Sequence, residues 1–311
     1  MGYSYRPELK VDDQLSRIDF GNPALRPMIR MLVKNQSAAS RSYRPEKGVI
    51  SRMVSIPSEH DGSLIEYFIL EPEKLRQNAP AMLYCHGGAF LLPLQVSALE
   101  MAARFARELN MRVYVPEYRL LPQYPAPAAF WDCYSVWKIM AARGHSALLI
   151  YGESAGGCLA AGLSRYIRDK GNVKPHGQLL IYPVVDTVNE KRLSVRAYEM
   201  GVWPLKSNRY MWQNYLRNGL SGLESYLLPL QNREFQNLPP AYIEPQEIDI
   251  LRDEAVEYAD ALKSAGVPVW CNEIKGSYHG FDADMKNPFV LKIIQQRILV
   301  AKSMLEKSAW R

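Results

Sequence analysis

Gly152-Glu153-Ser154-Ala155-Gly156 is the stretch whose reading decides the fold. An apolar run, Ala147-Leu148-Leu149-Ile150-Tyr151, leads into it, and a small-residue run, Cys158-Leu159-Ala160-Ala161-Gly162-Leu163, leads out. The first has the composition of a buried strand and the second that of a helix packed closely on its neighbours. A Gly-x-Ser-x-Gly turn between strand and helix holds the serine in a tight bend with its hydroxyl exposed. The flanking glycines are needed because a Cβ at either place would collide with the adjoining strand or helix. The serine also stands at a helix N-terminus, where unpaired N–H groups and the helix dipole favour developing negative charge.

Working outward, His86-Gly87-Gly88-Ala89-Phe90 follows another strand-like run, Ala81-Met82-Leu83-Tyr84-Cys85. A serine attacking an acyl group creates an oxyanion that needs preorganised N–H donors about 3 Å away. Adjacent glycines let a backbone approach that closely, so Gly87 and Gly88 are candidate donors, with the amide of Ala155 as the third. A plain glycine turn closing a strand is the alternative, and the Ser154 elbow argues against it.

The serine needs a base, and the chain has five histidines. His60 falls in a polar turn, His86 in the glycine loop, and His145 and His176 in connections ahead of strands. His279 lies in Gly276-Ser277-Tyr278-His279-Gly280-Phe281, after a strand-like run over 269–274 and before the C-terminal helix, where a loop can swing back over the sheet edge. The carboxylate that orients it belongs after the intervening strand, Ala241-Tyr242-Ile243-Glu244-Pro245. Asp249 occupies that strand-to-helix loop. Asp253 and Glu254 fall in the first helical turn, where acids serve the dipole, which makes Asp253 the main rival and Asp186 a more distant one.

The order Ser154, Asp249, His279 is that of an α/β-hydrolase fold. Together with Tyr118-Arg119-Leu120-Leu121-Pro122-Gln123-Tyr124-Pro125, Gly152-Glu153-Ser154-Ala155-Gly156-Gly157, Asp249-Ile250-Leu251-Arg252-Asp253-Glu254 and His279-Gly280-Phe281, the glycine loop resembles the hormone-sensitive-lipase family of carboxylesterases, of the bacterial esterase type. The resemblance covers roughly residues 50–305. It implies cofactor-free ester hydrolysis with a preference for short acyl chains, and a helical cap over the site. It also implies Ser154 as nucleophile, Asp249 as acid and His279 as base, with oxyanion donors from Gly87, Gly88 and Ala155. Three departures stand out: Ala89 where the family has a third glycine, Glu153 where it more often has Asp, and Ile250 in place of a proline.

The remaining sequence agrees with an α/β class, a mostly parallel central sheet flanked by helices. The 311 residues, 48% hydrophobic and 23% charged, suit one catalytic domain with an insertion. A net charge of +6, spread without a basic block, argues against a nucleic-acid partner. The four cysteines have no framework or metal-ligand spacing, so no metal and a cytoplasmic location are expected. The N-terminal stretch lacks an apolar run, so neither a signal peptide nor a membrane span is expected. Runs over 50–56 and 65–70 alternate as an antiparallel pair, and Ser97-Ala98-Leu99-Glu100 reads as a capping box. Residues 1–47 and 190–225 break the strand–helix rhythm and read as two cap segments, with 48–189 and 226–311 forming the catalytic domain. Phe90, Trp203 and Trp212 are candidate substrate contacts, although aromatic cap core is the plainer reading of any one of them. A small-molecule ester is the expected partner, and a homodimer is compatible with the chain. The functional alternatives are a deacetylase of acetylated sugars or other small molecules, and a non-catalytic ligand-binding protein on the same scaffold.

Overall fold

The computed structural model describes residues 3–11, 18–220 and 222–306, so parts of the first cap segment and the last residues of the chain lie outside the described residues. Its main sheet has eight strands. They are β1 (Val49–Pro57), β2 (Leu64–Pro72), β3 (Ala81–Cys85), β4 (Arg112–Glu117), β5 (Leu148–Glu153), β6 (Gly177–Ile181), β7 (Ala241–Glu244) and β9 (Val269–Cys271). The spatial order is β1-β2-β4-β3-β5-β6-β7-β9. The β1–β2 and β2–β4 pairs are antiparallel, and every later pair is parallel.

Alternation along the strands divides the core in two. On β3, Leu83 and Cys85 face one layer with Ile150 and Leu159, while Met82 and Tyr84 face the other with Leu149 and Tyr151. Helices α3 (Ala128–Ala141), α4 (Ala155–Lys170) and α8 (Arg252–Ser264) cover the first face, and α2 (Val96–Leu109) with α9 (Pro288–Glu306) covers the second. Coverage on both sides explains why β3 and β5 read as nearly unbroken apolar runs.

Two local expectations are corrected. Helix α2 starts at Val96, with Gln95 at its N-cap and no side-chain capping bond, so Ser97 is already inside the first turn. The run over 269–274 is not one strand. It stops at Cys271 on the main sheet, and β10 (Ile274–Tyr278) then pairs with β8 (Gln246–Ile248) in a separate two-stranded parallel sheet. Pro245 and Asn272-Glu273 are where the two chains leave the main sheet.

The segments outside the rhythm carry α1 (Arg26–Ser42), α5 (Leu193–Ala197) and α6 (Leu205–Tyr215), followed by α7 (Glu224–Leu227). They meet through aromatic pairs: Phe20 with Trp203 at 6.5 Å between ring centroids, and Tyr3 with Tyr198 at 5.4 Å.

One buried cation ties the C-terminal helix to the sheet. Arg297 of α9 donates through Nε and Nη2 to Glu244 (3.0 and 2.5 Å) and through Nη1 to Asp282 (2.5 Å), with no solvent exposure. Glu244 ends β7 and Asp282 follows β10 by four residues, so one guanidinium joins the two routes out of the main sheet. Arg297→Met should leave both carboxylates without their cation and cost about 3–5 kcal/mol. Urea unfolding followed by circular dichroism measures this.

Candidate active site

Strand register assembles the site. β3 and β5 pair with Cys85 opposite Gly152, so the residues that follow, His86-Gly87 and Glu153-Ser154, emerge side by side. Ser154 sits at the turn from β5 into α4 with φ +53° and ψ −121°. That left-handed bend is held by Ser154 N–H donating to Ile181 O (2.9 Å), while Ser154 O accepts from Gly157 (2.9 Å) and Val184 (3.0 Å). A Cβ at Gly152 would lie 2.2 Å from Gly156 O, and one at Gly156 would lie 2.0 Å from Cys85 O. Neither position can carry a side chain without parting the helix from the strands.

The second register brings the other two groups together. In the β8–β10 sheet Ile248 pairs with Tyr278, so Asp249 and His279, each one residue further on, stand next to each other. His279 Nδ1 lies 2.7 Å from Asp249 Oδ2, and its Nε2 lies 2.8 Å from Ser154 Oγ. Asp249 is buried, and its other oxygen accepts from Leu251 N–H at 3.1 Å. An imidazole held with Nδ1 against a carboxyl group can accept a proton at Nε2.

The rival residues are engaged elsewhere. Asp253 accepts from Ser194 N–H (2.9 Å) and Arg252 (2.8 Å). Asp186 accepts from Arg192 at 2.7 Å. His86 is buried with its ring stacked 4.1 Å from Tyr118, and burial lowers its pKa to about 4. His60 lies exposed in the β1–β2 turn, His145 meets Tyr114 (3.2 Å), and His176 accepts from Leu148 N–H (3.2 Å).

The glycine loop differs from expectation in one donor. Gly87 N–H donates to Glu153 Oε1 at 3.4 Å, whereas the amides of Gly88, Ala89 and Ala155 have no acceptor among the described residues. Gly88 (φ +115°) and Ala89 (φ +57°) are both left-handed, so Ala89 takes at a steric cost a conformation that glycine adopts freely.

A cavity of about 380 Å³ opens onto Ser154 and His279. Trp203 lines it, its ring 6.1 Å from that of His279. Phe90 and Trp212 do not. Phe90 stacks on Tyr215 at 4.4 Å, Trp212 packs edge-on to the same ring at 5.6 Å, and both are buried in the aromatic core. Wall residues that the sequence reading passed over include Tyr182, Gln95 at the N-cap of α2, and Met101 within it; Glu153, noted there only as a departure from the family, also lines the cavity. Tyr182 follows β6 and packs edge-on to His279 at 4.8 Å. Its place just past the C-terminal end of a parallel strand was the available signal. Among the described residues, no three His, Cys, Asp or Glu side chains converge as metal ligands.

A family model described as alpha/beta hydrolase fold matches residues 82–283. The chain belongs to that α/β-hydrolase family. A putative alpha/beta hydrolase of Acanthamoeba polyphaga mimivirus is 28% identical over 235 residues, 71% of this chain and 66% of that one. The esterase LipI of Mycobacterium tuberculosis is 28% identical over 280 residues, 85% of this chain and 82% of that one. Among solved structures, a bacterial heroin esterase superposes with a TM-score of 0.84 at 27% identity, covering 97% of this chain and 98% of that one. The expected fold class and the resemblance to bacterial carboxylesterases are both borne out. No helix among the described residues of this α/β hydrolase is long and apolar enough to cross a membrane.

The cavity and the aromatic core separate two tryptophans by role. Trp203→Ala should change the acyl-chain profile of kcat/KM across a p-nitrophenyl ester series. Trp212→Ala should leave that profile unchanged and cost about 3–5 kcal/mol of stability. A second expectation concerns Glu117, which accepts from Leu94 N–H (3.3 Å) just beyond the glycine loop. Burial raises its carboxyl from 4.5 to about 7. The folded protein therefore keeps a proton that the unfolded chain gives up, and stability falls as pH rises through that window. Glu117→Gln should flatten the decline of Tm between these pH values, measured by calorimetry.

Proposed function

We propose that this chain is a serine carboxylesterase that hydrolyses short-chain acyl esters through an acyl-enzyme. The observation that carries the reading is the unbroken sequence of contacts from buried Asp249 through His279 to Ser154 beneath an open cavity. His279 Nε2 takes the proton from Ser154 Oγ as the oxygen attacks the ester carbonyl. The oxyanion is held by the unengaged amides of Gly88, Ala89 and Ala155, with Gly87 left to Glu153. His279 then protonates the departing alcohol. Water, deprotonated in turn by Nε2, attacks the acyl-enzyme and releases the acid.

Residues 1–47 and 190–225 are proposed as the cap, because Phe20 and Trp203 from the two segments meet and both face the cavity. A volume of about 380 Å³ falls at the low end for ligand pockets and supports small acyl groups. The esterase names of LipI and of the heroin esterase support the reaction class. A purely ligand-binding role would leave the aligned nucleophile and base without a purpose. The free cysteines fit a reducing, cytoplasmic setting.

Ser154→Ala should leave the fold intact and lower turnover by orders of magnitude, on the order of 10⁶ in comparable triads. Asp249→Asn should cost about 10⁴-fold in kcat. Asp253→Asn should lose a helix-terminus charge, roughly 0.3–1 kcal/mol, and weaken its pairing with Arg252, with turnover kept. Initial rates with p-nitrophenyl acetate and butyrate decide it: a dead Asp253→Asn beside an active Asp249→Asn would overturn the assignment.

A further inference from the structure

Glu153 contacts the glycine loop and adjoins Ser154 without belonging to the triad. It is the last residue of β5 and is bonded covalently to Ser154, and it lines the cavity. Its Oε2 accepts from the Tyr84 hydroxyl at 2.9 Å, and its Oε1 accepts from the Gly87 amide at 3.4 Å. The joint is closely packed. A Cβ on Gly87 would stand 3.3 Å from Glu153 Cγ, 3.3 Å from Glu153 O and 3.4 Å from Ser154 Cβ.

We infer that Glu153 is a positioning residue: its carboxyl grips Gly87 and so sets where the Gly88 and Ala89 amides stand relative to Ser154 Oγ. The inference rests on the serine esterase reading above and deepens it. The physical case is one of tolerances. Donors must come within about 2.7–3.1 Å of the position the oxyanion will occupy, and a displacement of about 1 Å can cost on the order of 10²-fold. The next two residues of the loop cannot anchor it through their own amides, because Gly88 and Ala89 must leave theirs unengaged to serve the reaction. Gly87 is the nearest amide that can be tied down, and the residue preceding the nucleophile is the group that ties it. Nucleophile and donor loop are thereby referenced to a single residue. Tyr84, on β3 directly before the loop, completes the anchor from the loop's own strand.

The roles required of the carboxyl are specific. Oε1 must accept from an amide, and the second position must meet a phenol that can either donate or accept. A carboxamide can do both, so Glu153→Gln preserves the arrangement, whereas Glu153→Ala removes it. A shift of the oxyanion donors changes binding of a tetrahedral adduct while leaving ground-state binding nearly untouched.

The experiment measures kcat and KM for p-nitrophenyl butyrate in the wild-type protein, Ser154→Ala, Glu153→Ala, Glu153→Gln and Tyr84→Phe. It also measures inhibition by an alkyl trifluoromethyl ketone, which forms a tetrahedral adduct with an active serine. Loss of turnover in Ser154→Ala is read first and tests the esterase reading by itself. Given that loss, Glu153→Ala should lower kcat on the order of 10–100-fold with KM changed by less than about threefold, and should weaken the ketone by a matching factor. Glu153→Gln should return kcat to within about threefold of wild type. Tyr84→Phe, isosteric and leaving the carboxyl in place, should show a smaller loss of the same kind, and it stands in if Glu153→Ala does not fold. Unchanged kcat in both Glu153→Ala and Tyr84→Phe would overturn the inference. So would a rise in KM at constant kcat, an unchanged ketone affinity, or a Glu153→Gln variant as slow as Glu153→Ala.

Discussion

The approach of α4 to β3 and β5 at the Ser154 turn is the constraint on which everything else depends. Ser154 holds a left-handed bend that an L-residue adopts at a cost of roughly 1–3 kcal/mol, and it persists only because the surroundings over-determine it. Those surroundings are backbone: the Ile181 carbonyl below, the Val184 and Gly157 amides above, and the Cys85 carbonyl within 2.0 Å of where a Gly156 Cβ would be. Glycine at 152 and 156 is therefore a packing requirement before it is a catalytic one. With the helix seated this closely, the serine hydroxyl meets His279 Nε2 at 2.8 Å beside the cavity.

Parallel register does the remaining assembly. Cys85 opposite Gly152 delivers the glycine loop beside Ser154, and Ile248 opposite Tyr278 delivers Asp249 beside His279. Parallel strands all end on the same edge, so loops far apart in sequence converge there without long connections. The small β8–β10 sheet matters because it steps out of the main sheet. Its two chains leave the main sheet together and bring His279 Nε2 to 2.8 Å from Ser154 Oγ. Arg297 joins the two departing chains at Glu244 and Asp282, and Tyr182 donates to the same Asp282 (2.7 Å) while its ring braces His279. A buried cation shared by two carboxylates is thus linked to His279 through Asp282 and Tyr182.

Around this polar axis the enclosure is aromatic. Phe90, Tyr215 and Trp212 fill one side of the site as core, while Trp203 and Phe20 leave space on the other. Flat, stiff side chains pack the first region and line the second.

The sequence by itself determined the class of fold and pointed to ester hydrolysis as the reaction class. Gly152-Glu153-Ser154-Ala155-Gly156 is legible because a strained turn at a helix N-terminus admits few residue types, and Asp249 and His279 are candidates because each lies in a loop after a strand-like run, with Asp253 left as a rival acid. Each of these signals is a short motif readable in its own stretch of chain. Tertiary structure alone decided the rest. Which amides of the glycine loop stay unengaged depended on Glu153 reaching Gly87, a contact between residues 66 positions apart. The division of the 269–278 stretch between two sheets depended on a pairing partner at 246–248 that is too short to carry a pattern of its own. Which tryptophan lines the cavity depended on how two distant segments fold over the sheet, since Trp203 and Trp212 lie nine residues apart with equal apolar character. A side chain's residue type determines what it can do. Its neighbours, set by long-range packing, determine whether it does so.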